Sequence, residues 1–204
     1  MFLFKRKLAP VAKLYEQALQ VEKALEALCD YLSSLKEERA GAVAAHVRQA
    51  RKWTLLLEQA AGAQPAGAQP AGTLTAADLS RLAGLFELIA GEAESALDEM
   101  RRFAVKPEEP LRELARFSLR MLQEISGAVA CFSGARRTAA QPLIRARQSA
   151  ARGEKAFLEF RRELLNRPNA VEILKIQEIY KRFSNIFDNG HQAVEILGDA
   201  LVLK

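Results

Sequence analysis

The sequence predicts an all-α protein of six long helices, and three observations carry that expectation. Apolar residues recur every three or four positions along most of the 204 residues, the spacing that lines one face of a helix. No stretch of useful length alternates with period two, as a half-buried strand would. Gly and Pro gather at a few points, so the periodic segments between them are long. The six helices are expected as two tandem three-helix units, residues 1–105 and 106–204, forming one elongated bundle and a single domain.

The first helix starts at Pro10, a residue suited to the opening helical turn. Its apolar seam is Val11, Leu14, Ala18, Val21, Leu25, Leu28, Leu32 and Leu35, an unbroken alternation of three and four. A second helix is expected from Glu37 to Gln59, with a weaker face through Val43, Val47, Leu55 and Leu56. Residues 60–73 follow, in which GAQPA occurs twice in tandem. This stretch is expected to be a flexible loop, because Gly and Pro stop helices and small side chains have little to pack. Thr75-Ala-Ala-Asp78 places a capping hydroxyl three residues before an acid and opens the third helix. The face of that helix is Leu79, Leu82, Phe86, Ile89, Ala93, Ala96, Met100 and Phe103.

Lys106-Pro-Glu-Glu-Pro110 separates the halves and begins the fourth helix, whose stripe is Leu111, Leu114, Ser118, Met121, Ile125, Ala128 and Phe132. The fifth helix is expected from Ala139 to Asn166, before Arg167-Pro168. The sixth runs from Ala170 to Val202 and buries Ile176, Ile179, Phe183, Ile186, Gly190, Val194, Leu197 and Leu201.

Composition narrows the function classes. Apolar residues make up 50% and charged residues 27%, too apolar a mixture for a disordered chain. The net charge of +5 is spread along the sequence. Only Arg136 to Lys155 is biased, with Arg136, Arg137, Arg145, Arg147, Arg152 and Lys155 against the single acid Glu154. Without interleaved aromatics this reads as a solvated helix face, and nucleic acid is not an expected partner. Cys29 and Cys131 are isolated, each inside an apolar helical pattern, and read as buried small hydrophobes in a reducing compartment. The opening Met1-Phe-Leu-Phe-Lys-Arg-Lys7 has an apolar start before its basic cluster, the reverse of a signal peptide. With no apolar run near the ~20 residues of a membrane span, the cytoplasm is the expected location.

Reactive constellations are missing from the sequence. It contains no GxxxxGK[ST], GxGxxG, HExxH or GxSxG motif. The histidines, His46 and His191, are far apart in sequence and read as structural residues. A binding protein is therefore expected, not an enzyme. One polar row invites a metal reading: Ser184, Asp188, His191 and Glu195 follow steps of four, three and four along the sixth helix. Glu87, Glu94 and Asp98 form a similar row on the third helix, interrupted by Gly91. The plainer reading is that acids flank any amphipathic seam because its solvent side must be polar.

Arg167-Pro-Asn-Ala-Val-Glu-Ile-Leu-Lys-Ile-Gln-Glu-Ile-Tyr180 resembles the linker and start of the last helix in proteins related to PhoU, the phosphate-signalling regulator. The likeness is to the short cytoplasmic branch that accompanies Pit-type phosphate permeases. Ala193-Val-Glu-Ile-Leu-Gly-Asp-Ala-Leu-Val-Leu-Lys204 resembles the close of that family, and Met1-Phe2 its opening. The resemblance implies a PhoU-like fold and an inorganic phosphate permease as partner, met at the cytoplasmic face of the inner membrane. Arg145, Arg147 and Arg152 are the candidate partner-binding residues, and homo-oligomers are compatible with this reading.

Family members carry acidic motifs on four helices that can hold metal clusters. In this chain the motifs fall near Ala42 and His46, Glu87 and Gly91, Ala150 and Glu154, and Ser184 and Asp188. Only Glu87, Glu154 and Asp188 are acidic, so they are the candidate metal ligands of a degenerate set. A multinuclear site needs several carboxylates to offset its charge, so no metal or other cofactor is expected. Two other classes stand beside the permease reading: a structural or lipid-surface bundle, and a metal-binding helical protein with carboxylate ligands.

Overall fold

In a computed structural model, residues 9–62, 74–134 and 136–202 are described. These residues form six α-helices and no strand: α1 (Pro10–Ser34), α2 (Glu37–Gly62), α3 (Ala76–Phe103), α4 (Glu109–Cys131), α5 (Ala140–Leu164) and α6 (Ala170–Val202). A short 3-10 turn, Arg136–Ala139, leads into α5. The chain is all-α, as its periodicity predicts. No helix among the described residues is long and apolar enough to cross a membrane.

Local chemistry sets the helix ends. Pro10 occupies the first turn of α1, where its missing N–H costs nothing. The Thr75 hydroxyl accepts from the Asp78 N–H at 3.0 Å while Asp78 Oδ2 accepts from the Thr75 N–H at 3.0 Å, which closes the expected capping box. Asn169 Oδ1 accepts from the N–H groups of Val171 and Glu172 at 3.1 and 3.3 Å and so caps the start of α6.

Three details depart from expectation. Leu35, read as the last seam residue of the first helix, adopts a left-handed φ of 55° beyond Ser34 and is 54% exposed. Its N–H closes the helix on the Tyr31 carbonyl at 2.7 Å, so its side chain leaves the seam. On α2, Leu55 and Leu56 are exposed, whereas Val43, Val47, Ala50, Thr54 and Leu57 are buried. That set follows steps of four and three, and polar Thr54 concealed the pattern. Finally, α2 continues to Gly62, the first residue of the tandem GAQPA repeats and part of the segment read as a loop, while residues 63–73 lie outside the described residues.

The two halves pack alike. α1 touches α2 and α3, α2 touches α3, and α4, α5 and α6 repeat this scheme; the halves meet through α1 on α4 and α3 on α6. Exchanging α1–α3 for α4–α6 returns the same set of helix contacts. The shared core runs through all six helices, with Phe86, Phe183 and Phe187 among its largest wholly buried side chains. Gln17 is also buried: its Nε2 donates to Thr54 Oγ1 at 2.9 Å and to the Ala83 carbonyl at 2.8 Å, tying α1 to α2 and α3.

Two glycines set the spacing in the second half. A Cβ at Gly153 would lie 2.3 Å from the Phe187 ring, and one at Gly190 would lie 2.3 Å from Met121. α5 therefore closes on α6, and α6 on α4, because these positions lack side chains. Gly91 has nothing within 4 Å of such an atom. Gly153→Ala should thus destabilise by about 1–3 kcal/mol through overpacking, while Gly91→Ala should stabilise by up to about 1 kcal/mol through helix propensity. Urea unfolding followed by circular dichroism measures both, and equal effects would contradict this packing.

Candidate functional site

The acidic residues of α3 occupy two sides of the helix, and each side is met by an arginine. Toward α2, Arg51 pairs with Glu94 at 3.2 Å and approaches Glu87 at 3.9 Å. Toward α6, Arg182 donates from Nε and Nη2 to Glu99 Oε1 at 3.0 and 2.6 Å, and from Nη1 to Glu92 Oε2 at 3.2 Å. Asn185 Nδ2 adds a bond to Glu92 Oε1 at 2.9 Å. Both acid pairs are seven residues apart, two turns on one face, so a single guanidinium can bridge each pair. Glu92 and Glu99 keep only 18% and 14% of their side-chain exposure. The Arg182 cluster is therefore the better shielded of the two.

The candidate ligands Glu87, Glu154 and Asp188 do not converge. Glu87 faces α2 and Arg51. Glu154 on α5 meets His191 Nε2 at 2.8 Å, next to Gly153, whose missing side chain lets α5 close on α6. Asp188 remains exposed on α6. Among the described residues, no three His, Cys, Asp or Glu side chains are grouped to hold a metal ion. Of the row read along α6, His191 has a carboxylate partner from α5, and Glu195 is exposed like Asp188.

The three candidate partner-binding arginines do not form one patch. Arg145 and Arg152 are seven residues apart on one side of α5, but Arg147 lies about 160° round the helix from Arg145. Arg145 Nε donates to Glu124 Oε1 of α4 at 2.8 Å. Arg147 lines an apolar groove of about 570 Å³ between α5 and α6, with Leu143, Ile144, Val194, Leu201 and Val202. Arg152 is exposed. The sequence reading missed this groove, because it forms only where the start of α5 meets the end of α6.

The segment resembling the PhoU-related family has structural work. Arg167 pairs with Glu108, before α4, and with Glu172 at 2.9 Å, and its hydrogen bond holds the Glu108 carboxyl below the usual range. Asn169 caps α6, and buried Tyr180 stands edge-on to Phe157 at 6.5 Å. Burial pushes the Tyr180 hydroxyl up to about 12. Cys29 and Cys131, expected to be buried, are only partly so. Burial still raises the Cys29 thiol to about 12, which leaves little reactive thiolate. His46 bonds Gln20 Oε1 at 3.0 Å, and burial lowers its pKa.

Comparison with protein-family models and with curated proteins gives no match. Among the described residues, the arrangement offers charged clasps within the bundle and an apolar groove on its surface.

Two outcomes follow. Arg182→Ala should cost about 1–3 kcal/mol, since it strands part-buried carboxylates, and adding Glu99→Gln should restore part of the loss. A double-mutant cycle in urea shows no coupling if this clasp is incidental. For His46, the lowered pKa means that the fold prefers the neutral ring. Its contribution is complete above the ordinary value of 6.5 and is lost as pH falls below it. His46→Gln should accordingly lessen the drop in melting temperature between about pH 7 and pH 5.

Proposed function

We propose that this chain is a non-enzymatic, PhoU-like accessory protein of inorganic phosphate transport. It binds a Pit-type permease at the cytoplasmic face and tunes uptake or transporter abundance. The observation that carries this reading is the matched contact scheme of the two three-helix halves, the plan that the family resemblance of residues 167–180 and 193–204 implies. The fate of the acidic motifs supports a binding role over a metal-dependent one, since Glu87 is approached by Arg51 and Glu154 is paired with His191.

A second reading, attachment to a lipid surface, is favoured by one feature. Leu158, Leu165, Val171 and Leu174, around the α5–α6 turn, are each about 60% exposed, next to Arg161 and Arg162 in the last turn of α5. Exposed apolar side chains beside cations suit a membrane interface.

Deleting the gene should change phosphate uptake or permease abundance, and the protein should co-purify with the permease from membranes. Arg147→Glu with Arg152→Glu should weaken that association, more at low salt than at high salt; Arg145 is spared because it also anchors α5 to α4. Unchanged uptake with no co-purification would overturn the permease reading. Flotation with protein-free anionic vesicles, abolished by Leu165→Ser and Leu174→Ser, would favour the lipid reading.

A further inference from the structure

The outward ridges of α5 and α6 carry opposite charge on the two sides of the apolar groove. On α5, exposed Ile144, Ala151 and Lys155 share one line, flanked by exposed Arg147 and Arg152. On α6, exposed Asp188, Glu195 and Asp199 fall within about 40° of one another. Among the described residues, Arg147, Arg152, Asp188, Glu195 and Asp199 have no ion pair or hydrogen bond from their side chains. Lys155 reaches only Glu159 of its own helix, at 3.8 Å. The matching helices of the first half differ: Arg51 to Glu94 and Arg101 to Glu37 cross between α2 and α3. The first half neutralises its two walls, and the second leaves them charged.

The charges also match in height. Glu154 meets His191 across antiparallel α5 and α6, so each step back along α5 answers a step forward along α6. Counting from that pair, Arg152 is level with Ala193, Arg147 with Gly198 and Ile144 with Leu201. Glu195, Asp199 and Val202 therefore stand within a turn of the heights of Arg152, Arg147 and Ile144.

We propose that this face pairs two copies of the chain. A two-fold axis running along the groove lays α5 of each copy on α6 of the other, with heights unchanged. Arg147 then meets Asp199 of the second copy, and Arg152 meets Glu195. Ile144 and Val202, 49% and 78% exposed, cover one another and the apolar floor beneath. Gly198, where a Cβ would have nothing within 4 Å, leaves room for the approaching helix. An axis across the helices would instead set α5 on α5 and α6 on α6, cation against cation and acid against acid. Charge selects the first arrangement.

The contact has a natural limit. Lys181 is level with Leu164, beside exposed Arg161 and Arg162, and like charges facing one another end the pairing there. What remains is about 24 Å long and two helices wide, burying on the order of 1,000 Å², the low end for a specific interface. The dimer is accordingly reversible. It hides Arg147 and Arg152, so dimer and permease-bound forms exclude one another. The inference itself needs no permease, and its failure leaves that reading untouched.

Sedimentation of the purified full chain at low salt should show a concentration-dependent dimer that weakens at high salt. Arg147→Glu with Arg152→Glu, and separately Glu195→Arg with Asp199→Arg, should each weaken it at least about tenfold, with helix content by circular dichroism unchanged. The two variants mixed should associate again, because each α5–α6 contact then joins opposite charges. Gly198→Trp, which fills the groove from within its own chain, should also remove the dimer. A wild type that stays monomeric would overturn the proposal. So would charge variants that associate as well as the wild type, which place the contact on another face, or a mixture that stays monomeric. A monomer captured by anionic vesicles through Arg147 and Arg152 gives the face to lipid and overturns it too.

Discussion

Each helix carries one apolar stripe that water penalises, and six such stripes can be hidden only against one another. At roughly 25 cal/mol per Å² of apolar surface removed from water, this burial outweighs every polar contact in the molecule. It requires α1, α3, α4 and α6 to meet at the centre, with α2 and α5 closing the flanks. The polar clasps then act on a geometry already decided. Arg51 and Arg182 each bridge acids two turns apart, so sliding α3 along either neighbour by one turn would break a clasp and misalign the stripes. Gln17 does the same for α1 through one hydroxyl and one carbonyl.

Helix separation is set differently in the two halves. Where α5 meets α6, the absence of a side chain at Gly153 admits the Phe187 ring, and Gly190 similarly admits Met121. Close approach brings Glu154 to His191, so a residue type chosen for size governs an electrostatic contact next to it. Farther toward the α5 N-terminus the helices leave a groove with an apolar floor. Tight packing and an open groove thus occur on the same helix pair.

Electrostatics also decides what the acidic face of α3 does. A carboxylate row can gather a divalent cation or neutral partners, and the outcome depends on what neighbouring helices offer. Here α2 and α6 offer guanidinium groups, which satisfy carboxylates by charge-assisted hydrogen bonds. The same acids opposite Asp or Glu would have formed a different site, and α3 alone does not distinguish the cases.

The sequence by itself determined the helices, because stripe periodicity, Pro10, the Thr75–Asp78 cap and the Lys106–Pro110 break are local signals that need no partner. It determined most of the core for the same reason: Leu14 to Leu32 on α1 and Ile176 to Leu197 on α6 were legible as seams. It misplaced Leu35, Leu55 and Leu56, where a left-handed cap and a buried threonine broke a hydrophobic pattern. What tertiary structure alone decided was who faces whom. Glu87, Glu154 and Asp188 were visible as acids but not as separated ones, and Arg51 and Arg182 gave no sign of their bridging role. Arg145, Arg147 and Arg152 looked like one cluster in the chain, until helical geometry split them between two sides of α5. The groove was invisible for the same physical reason: periodicity reports the direction a side chain takes from its own helix axis, and only packing supplies the second helix that turns such directions into a site.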